Sequence, residues 1–409
     1  MKIQTKDKII NDPIYGFISL DDSLILKLID HPYFQRLRKI SQLGLSYLVY
    51  PGATHSRFNH ALGCMHLMKK VIHQLKNKGQ IISKIESRSL KVAILLHDIG
   101  HGPFSHALEN SIVTNVSHEN LSLCFMKAIN EDFNGELQTA INIFNNKYKK
   151  SFLHQLVSSQ LDMDRLDYLK RDSFFSGVVE GNIGVDRLIN MMNIANNSLV
   201  VEEKGIYSIE KFLIARRFMY WQVYLHKTVV SAENMLIKIL KRVKYLILNN
   251  SNIYVSESLK IFLKKDYTTK DFNRNTDLIK YFSNLDDYEI YTCLKHWELS
   301  KDFVLSNLSY RINNRKLLKV KISNKKISES EKHKLIESFC NKNNCSQEEA
   351  SYFIFSDKLT NDFYNNKSKI NILLKNGEIK DFEKVSDQFD ATILNKTSNK
   401  YFLCYSKQI

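Results

Sequence analysis

The sequence predicts a mainly α protein: a helical bundle opened by a short N-terminal β-hairpin and closed by a small α+β C-terminal subdomain. Three observations lead there. Apolar residues recur at helical spacing through most of residues 22–312. All four prolines and eleven of the thirteen glycines precede residue 200, so irregular, shaped backbone is concentrated in the first half. Near residue 314 the pattern turns to strand-like alternation. The 409-residue chain is therefore read as a body, residues 1–312, followed by a subdomain, residues 313–409. That length suits roughly two domains.

Within the body, residues 8–20 read as two short strands around Asn11-Asp12-Pro13. Helices are expected at about 22–30 and 32–43. The second opens on Pro32, whose missing N–H costs nothing at a first helical position. Amphipathic stretches predict further helices at 58–77, 83–98, 118–130, 136–145, 151–172 and 185–196. Ser117 is placed to cap the helix from 118. Residues 198–208 read as a hairpin turning at Lys204-Gly205, before long helices over 209–248 and shorter ones to about 312. In the subdomain, Arg315 to Ile322 alternates like a strand and 328–342 is helical. Strand-like runs follow at 351–356, 369–374, 377–383 and 399–406, with Asn376-Gly377 as a hairpin turn.

The composition is that of a globular protein, 44% hydrophobic and 25% charged. No run approaches the ~18 apolar residues of a membrane span, and the first residues lack the apolar core of a secretory signal. A cytoplasmic protein is expected. The six cysteines are scattered, and Cys340 and Cys345 have no second pair with which to complete a zinc site, so free thiols fit best. The net charge of +16 suits polyanionic partners, nucleotides or nucleic acid, and is equally met by a Lys/Asn/Ile-rich composition with no functional cause. Between residues 211 and 250, Lys211, Arg216, Arg217, Lys227, Lys238, Lys241, Arg242 and Lys244 are opposed only by Glu233.

Chemistry concentrates around Leu96-His97-Asp98-Ile-Gly-His101-Gly-Pro-Phe-Ser-His106, where an apolar helix runs into glycines and Pro103. A single such His-Asp pair is commonly a satisfied core histidine beside a helix-terminal aspartate. Here three further segments supply residues of metal-ligand type: Arg57-Phe-Asn-His60, Ser117-His118-Glu119, and Asp162-Met-Asp164-Arg-Leu-Asp167-Tyr168. His60, His97, Asp98 and Asp164 would form a site of two imidazoles and two carboxylates with positions left for water. Asp164, Tyr168 and Asp172 are four apart and share one helical face; Arg216, Tyr220 and Tyr224 repeat that spacing, with Lys227 next. A tyrosine stripe alone reads as core, but Arg216 within it calls for an anion.

This ordered series resembles the HD-domain metal phosphohydrolases, whose defining pattern is His…His-Asp…Asp. The resemblance is closer to their deoxynucleoside triphosphate triphosphohydrolase (dNTPase) branch, which includes a mammalian enzyme carrying a SAM domain. It runs through Asn11-Asp-Pro-Ile-Tyr-Gly16, Phe34-Gln-Arg-Leu-Arg38, Gln42-Leu-Gly44, Pro51 to His60, Leu96 to His106, Leu161 to Tyr168 and Arg171-Asp172, across at least residues 8–230. An HD-domain core at about 50–175 is implied, without a preceding SAM domain, as in shorter bacterial members.

Carried onto this chain, the resemblance implies that His60, His97, Asp98 and Asp164 hold a divalent transition metal: Fe, Mn, Zn, Ni or Co, with Mg accompanying the nucleotide. His106 would be the general acid, oriented by Glu109. His101 and His118 would line the triphosphate, and Arg57, Arg165 and Arg216 would bind its oxygens. Gln42 and Leu43 would meet the deoxyribose, and Tyr168, Asp172 and Tyr224 its 3′ and 2′ edges. Lys8, Asn11, Asp30, Gln35 and Arg38 match positions where regulated members bind GTP or dNTP effectors at a subunit interface. A purely structural reading has Asp30 capping the Pro32 helix and Arg38 pairing within it. Arg315 and Lys316 match a nucleotide-touching part of the C-terminal lobe. Phe174, Gln222 and Leu225 depart from the mammalian pattern at base and effector positions.

The expected activity is hydrolysis of dNTPs to deoxynucleoside and inorganic tripolyphosphate by a dimer or tetramer. The rivals are an HD-type phosphodiesterase or nuclease acting on nucleic acid, suggested by the basic 211–250 segment, and a non-catalytic nucleotide-sensing module.

Overall fold

In the computed structural model the residues described are 8–109, 111–361, 369–389 and 398–407. The residues on which the absence of a secretory signal was argued, the first seven, lie outside them. The fold is the mainly helical bundle expected, with a hairpin before it and small sheets after it. The hairpin pairs β1 (Lys8–Asp12) with β2 (Gly16–Leu20). Asp12 Oδ1 accepts from the N–H groups of Ile14 and Tyr15 at 2.9 and 3.0 Å, which holds the turn.

Helices α1 (Ser23–Asp30) and α2 (Pro32–Gln35) follow. The helix expected to reach residue 43 stops at α2 and a 3-10 turn, Arg36–Lys39. Tertiary contacts pull the next residues away. Ser41 donates its N–H to Asp287 at 2.9 Å and bridges Ser56, while Gln42 N–H reaches the His55 carbonyl at 3.0 Å. Residue 30 does not cap α2 either; the His31 side chain accepts from the Tyr33 N–H.

The centre of the bundle is α3 (Arg57–Asn77), α4 (Lys84–Leu96), α5 (His118–Asp132), α6 (Gln138–Phe144), α7 (Ser151–Val157) and α8 (Met163–Ser176). Helix α4 begins in a capping box between Ser83 and Glu86, and Ser117 caps α5 as read. Helix α3 packs on α4 and α8. A Cβ at Gly63 would lie 2.0 Å from Asp167 Oδ1, so the α3–α8 approach requires glycine there.

Helix α9 (Val185–Met191) ends earlier than expected, and the hairpin after it is shifted. Strands β3 (Met192–Ala195) and β4 (Ser198–Glu202) turn at Asn196-Asn197, not at Lys204-Gly205. Both asparagines have positive φ, 51° and 59°, which suits a tight turn matched to strand twist and which Asn tolerates. Helix α10 (Ile206–Met219) runs through a π-helical turn, Tyr220–Tyr224, before α11 (Lys227–Leu248).

Five helices complete the body: α12 (Glu257–Lys264), α13 (Thr269–Arg274), α14 (Thr276–Ser283), α15 (Asp287–Glu298) and α16 (Phe303–Asn313). Beyond them lie β5 (Lys319–Ser323), α17 (Glu329–Asn343), α18 (Gln347–Ala350), β6 (Phe355–Asn361), β7 (Asn371–Leu373), β8 (Ile379–Asp381) and β9 (Ser398–Tyr405). Thus the strand expected from 351 starts at Phe355, behind a turn that continues α18. Strand β9 lies between β5 and β6, and β7 pairs parallel with β4 of the body to give the order β3-β4-β7-β8. Asn376-Gly377 turns β7 into β8, as read. All six cysteines are free. No helix among the described residues is long and apolar enough to cross a membrane.

Candidate active site

Three helices bring the four candidate ligands together. His60 sits in the first turn of α3, His97 and Asp98 terminate α4, and Asp164 opens α8. Asp98 Oδ1 lies 3.3 Å from His97 Nε2 and its Oδ2 lies 3.5 Å from His60 Nε2. Asp164 Oδ1 lies 3.1 Å from His60 Nε2 and 3.5 Å from His97 Nε2. Each imidazole is held by its other nitrogen: His60 Nδ1 faces Asp167 Oδ2 at 2.8 Å, and His97 Nδ1 donates to the Ile94 carbonyl at 2.6 Å. That places the protons on Nδ1 and turns both Nε2 lone pairs toward the carboxylates.

His97 Nε2 is buried without a hydrogen-bond partner. Burial disfavours the charged imidazolium of His97, yet the Asp98 and Asp164 carboxylates outweigh it and raise the pKa. A buried carboxylate, Asp98, and a half-buried one, Asp164, around an orphaned imidazole nitrogen suit a cation, so this donor set fits a divalent metal. Cys64 Sγ lies 3.5 Å from both ring nitrogens of His60, and burial pushes its thiol pKa well up, so it stands as a neutral neighbour.

Behind the ligands runs a chain of ion pairs. Asp167 takes Nε and Nη2 of the fully buried Arg171 at 2.9 and 3.1 Å, and Arg171 Nη1 reaches Asp12 of the hairpin at 2.9 Å. No site role for Asp12, Asp167 or Arg171 is evident from the sequence; the four-residue spacing of Asp167 and Arg171 is the one local signal of their pairing. Arg57 donates to Asp98 and, through Nε, to Ser105 at 2.7 Å.

The second histidine group is equally tight. His106 Nδ1 and His118 Nδ1 each lie 2.8 Å from one oxygen of Glu109. Burial would raise Glu109, but hydrogen bonds to His106 and His118 outweigh it and hold the carboxyl far below its ordinary range. Burial likewise opposes the charge on His118, and the Glu109 bond overcomes it and raises the pKa. His101 stacks on His118 with ring centroids 4.0 Å apart; burial and then Arg57 push it well down, leaving a neutral imidazole.

Both groups face a cavity of about 540 Å³. All eight residues read as substrate-binding line it: Gln42, Leu43, Arg57, Arg165, Tyr168, Asp172, Arg216 and Tyr224. His60 and Glu109 stand behind the wall, and Lys227, one turn beyond Tyr224, is exposed and outside it. Gln42 Oε1 and Arg165 Nε are buried and unpartnered. Arg165 Nη1 is held by Asp162 at 2.7 Å and Arg216 Nη1 by Gln160 at 2.8 Å, which aims both guanidinium groups. Tyr224 donates to Asp172 Oδ2 at 2.9 Å, and the other oxygen of Asp172 lies 2.7 Å from the Nε2 of buried His55, a partner not foreseen from sequence.

The remaining candidates lie elsewhere. Lys8 and Asp30 face each other at 3.7 Å on the surface, Asn11 pairs with Phe17 in the hairpin, and Gln35 binds the Ile29 carbonyl. Arg38 donates to Gln35 at 2.9 Å and lies over Phe58. Arg315 reaches the Leu48 carbonyl at 2.8 Å, and Lys316 contacts Tyr310. The basic 211–250 segment does not form one face. Arg242 pairs with Asp302 at 2.6 Å, Lys244 with Asp266 at 2.8 Å, and Arg216 turns into the cavity.

Family comparisons agree with this geometry. The HD domain profile matches residues 57–172 and that of the HD associated region matches 183–258. A phosphohydrolase crystal structure from Bacteroides thetaiotaomicron superposes with a TM-score of 0.94 at 48% identity, covering 98% of this chain and 100% of the other. This chain belongs to the HD-domain phosphohydrolase family. As such it is a metal-binding hydrolase. Among its relatives, the protein YwfO of Bacillus subtilis is 30% identical over 99% of this chain and 93% of its own length. The deoxynucleoside triphosphate triphosphohydrolase SAMHD1 of Homo sapiens is 32% identical over 54% of this chain and 42% of that protein.

Proposed function

We propose that this HD-domain phosphohydrolase hydrolyses dNTPs to deoxynucleoside and inorganic tripolyphosphate. The observation that carries the reading is the convergence of His60, His97, Asp98 and Asp164 beside a cavity walled by Tyr168, Asp172 and Tyr224. A metal held by those four residues would supply Lewis-acid polarisation and an activated water. The resemblance leaves the choice among Fe, Mn, Zn, Ni and Co open.

The chain's own residues do the rest. Arg57, Arg165, Arg216 and His118, whose pKa Glu109 raises, bind the tripolyphosphate oxygens, and neutral His101 lines them. His106, fixed through Nδ1 by Glu109, presents Nε2 to the 5′-oxygen and gives it a proton as the P–O bond breaks. Tyr168 lies under the sugar, where a 2′-hydroxyl would collide, while Asp172 and Gln42 take the 3′-hydroxyl. Lys8, Asn11, Asp30, Gln35 and Arg38 form the effector face, which a second subunit completes in a dimer or tetramer.

The test is product analysis of metal-loaded protein with dNTPs and Mg²⁺, with and without GTP. Deoxynucleoside and tripolyphosphate are expected. Deoxynucleoside monophosphate with pyrophosphate, or no turnover with any metal, overturns the reading. The nuclease alternative, motivated by the basic segment, is weakened where Arg242 and Lys244 pair with Asp302 and Asp266 and Arg216 lines the cavity.

A further inference from the structure

The turn that presents His106 is bent in a way its residues do not favour. Phe104 and Ser105 are consecutive non-glycine residues with positive φ, 54° and 56°, a left-handed conformation that persists only where the surroundings impose it. The constraint comes from α15, 183 positions further along the chain. Asp287, the first residue of that helix and 4% exposed, accepts the Phe104 N–H on Oδ1 at 2.7 Å and the Ser41 N–H on Oδ2 at 2.9 Å. Its two oxygens join the His106 turn to the strap 41–44, which carries Gln42 and Leu43. Further contacts close the same junction. Ser105 Oγ donates to the Ser41 carbonyl at 2.6 Å. Tyr291, one helical turn after Asp287, sets its ring edge-on to Phe104 with centroids 5.2 Å apart and pairs its hydroxyl with that of Tyr47 at 2.5 Å. Gly44 completes the fit, since a Cβ there would lie 3.0 Å from the Phe104 carbonyl. The strap and the turn both line the cavity, whereas Asp287 and Tyr291 stand behind it.

Resting on the dNTP reading, we propose that Asp287 is a positioning residue for the reaction: its carboxyl, backed by Tyr291, fixes the proton donor His106 at a set distance from the strap that meets the deoxyribose. Neither side chain touches the reacting atoms. A carboxyl group suits this task because its two oxygens accept two N–H bonds at once, one from each segment. An asparagine of the same shape offers one acceptor oxygen and turns its NH₂ against the other N–H. With one segment released, the left-handed turn relaxes toward a conformation its residues prefer, and His106 moves off the 5′-oxygen. A misplacement of about 1 Å costs about 10²-fold in rate.

The experiment measures kcat of metal-loaded protein on saturating dNTP for wild type, Asp287→Asn, His106→Gln and the double variant. Asp287→Asn should lower kcat by about 10- to 100-fold when His106 is present. It should lower kcat by less than about twofold when residue 106 is already Gln, because a residue acting through His106 then has nothing left to orient. Equal losses in both backgrounds, the mark of a merely structural role, overturn the inference, as does no loss in either. Tyr291→Leu strips the ring from Phe104 and leaves Asp287 in place. It should show the same pattern on a smaller scale, about 3- to 10-fold, and decides the matter should Asp287→Asn not fold. Amide exchange, read without substrate, should be faster at Ser41 and Phe104 in Asp287→Asn than in wild type; unchanged exchange overturns the clamp. No turnover of dNTPs by wild type would sink the proposed reaction, while the exchange rates still decide whether Asp287 holds the two segments.

Discussion

Asp167 Oδ2 lies 2.8 Å from Nδ1 of His60 and 2.9 Å from Nε of Arg171, so a single buried carboxylate ties a metal-site imidazole to a fully buried guanidinium. Arg171 in turn reaches Asp12, which makes the N-terminal hairpin part of the support for the site. Burial alone would raise Asp167, but Arg171 first and then His60 pull it down to about 2, so it is a carboxylate throughout the working range.

Asp167→Asn should therefore loosen the orientation of His60 and lower metal affinity by about 10- to 100-fold. Competitive metal titration against a chelator of known affinity measures this. Asp12→Ala acts farther out and should cost about 1–3 kcal/mol of stability in urea unfolding, because Arg171 is left with an unmet donor. An Asp167→Asn protein that holds metal as tightly as wild type would show that the hydrogen bond to His60 is structural only.

His106→Gln should lower kcat by about 10²- to 10⁴-fold on dNTPs, the usual contribution of a general acid. The loss should nearly vanish on a triphosphate ester whose leaving group is a phenol of low pKa, since that oxygen departs without protonation. Equal losses on both substrates would remove His106 from the protonation step.

The start of α4, which delivers His97 and Asp98, depends on Glu86. Its carboxylate accepts from Ser83 N–H at 2.8 Å, Lys150 Nζ at 2.9 Å and the Tyr148 hydroxyl at 3.0 Å. Burial works to raise its pKa, and these bonds outweigh it and lower it. A carboxyl whose pKa is lower folded than unfolded stabilises the fold fully above the unfolded value, about 4.3. That stabilisation is lost as pH falls through the folded value. Glu86→Gln should cost about 1–2 kcal/mol at pH 7, with the difference from wild type shrinking below about pH 4. Denaturant midpoints across pH check the sign, and a gap that widens toward acid would refute it.

Sugar selectivity is assigned to the tyrosine wall. Tyr168→Ala should admit ribonucleotides, raising the NTP-to-dNTP ratio of kcat/KM by about tenfold, the scale of one steric contact. Parallel assays on dATP and ATP read this. An unchanged ratio with intact fold would place the discrimination elsewhere, Gln42 and Asp172 being the next residues to test.

Local signals made much of this molecule legible from its sequence. Pro32 and Ser117 announced helix starts, the His97-Asp98 turn announced a helix end, and the stripes through Asp164 and Arg216 announced one cavity wall. What escaped was decided over long distances. The helix after Pro32 stops because Asp287, almost 250 residues away, takes the Ser41 N–H. In the basic segment, Arg242 and Lys244 are paired by Asp302 and Asp266, 60 and 22 positions further along the chain. Asp167 and His55 were in view as residue types, but their partners His60 and Asp172 are 107 and 117 positions distant. The Asn196-Asn197 turn carries a local signal of its own, two residues that tolerate positive φ, and competes in the sequence with Lys204-Gly205.

The central claim is that His60, His97, Asp98 and Asp164 hold one cation. Metal content per chain, measured by elemental analysis on wild type and on folded Asp98→Ala after dialysis against transition metals, tests it most directly. About one ion per chain is expected in the wild type and only a small residual fraction in the variant. Equal metal content in the two proteins would contradict the account.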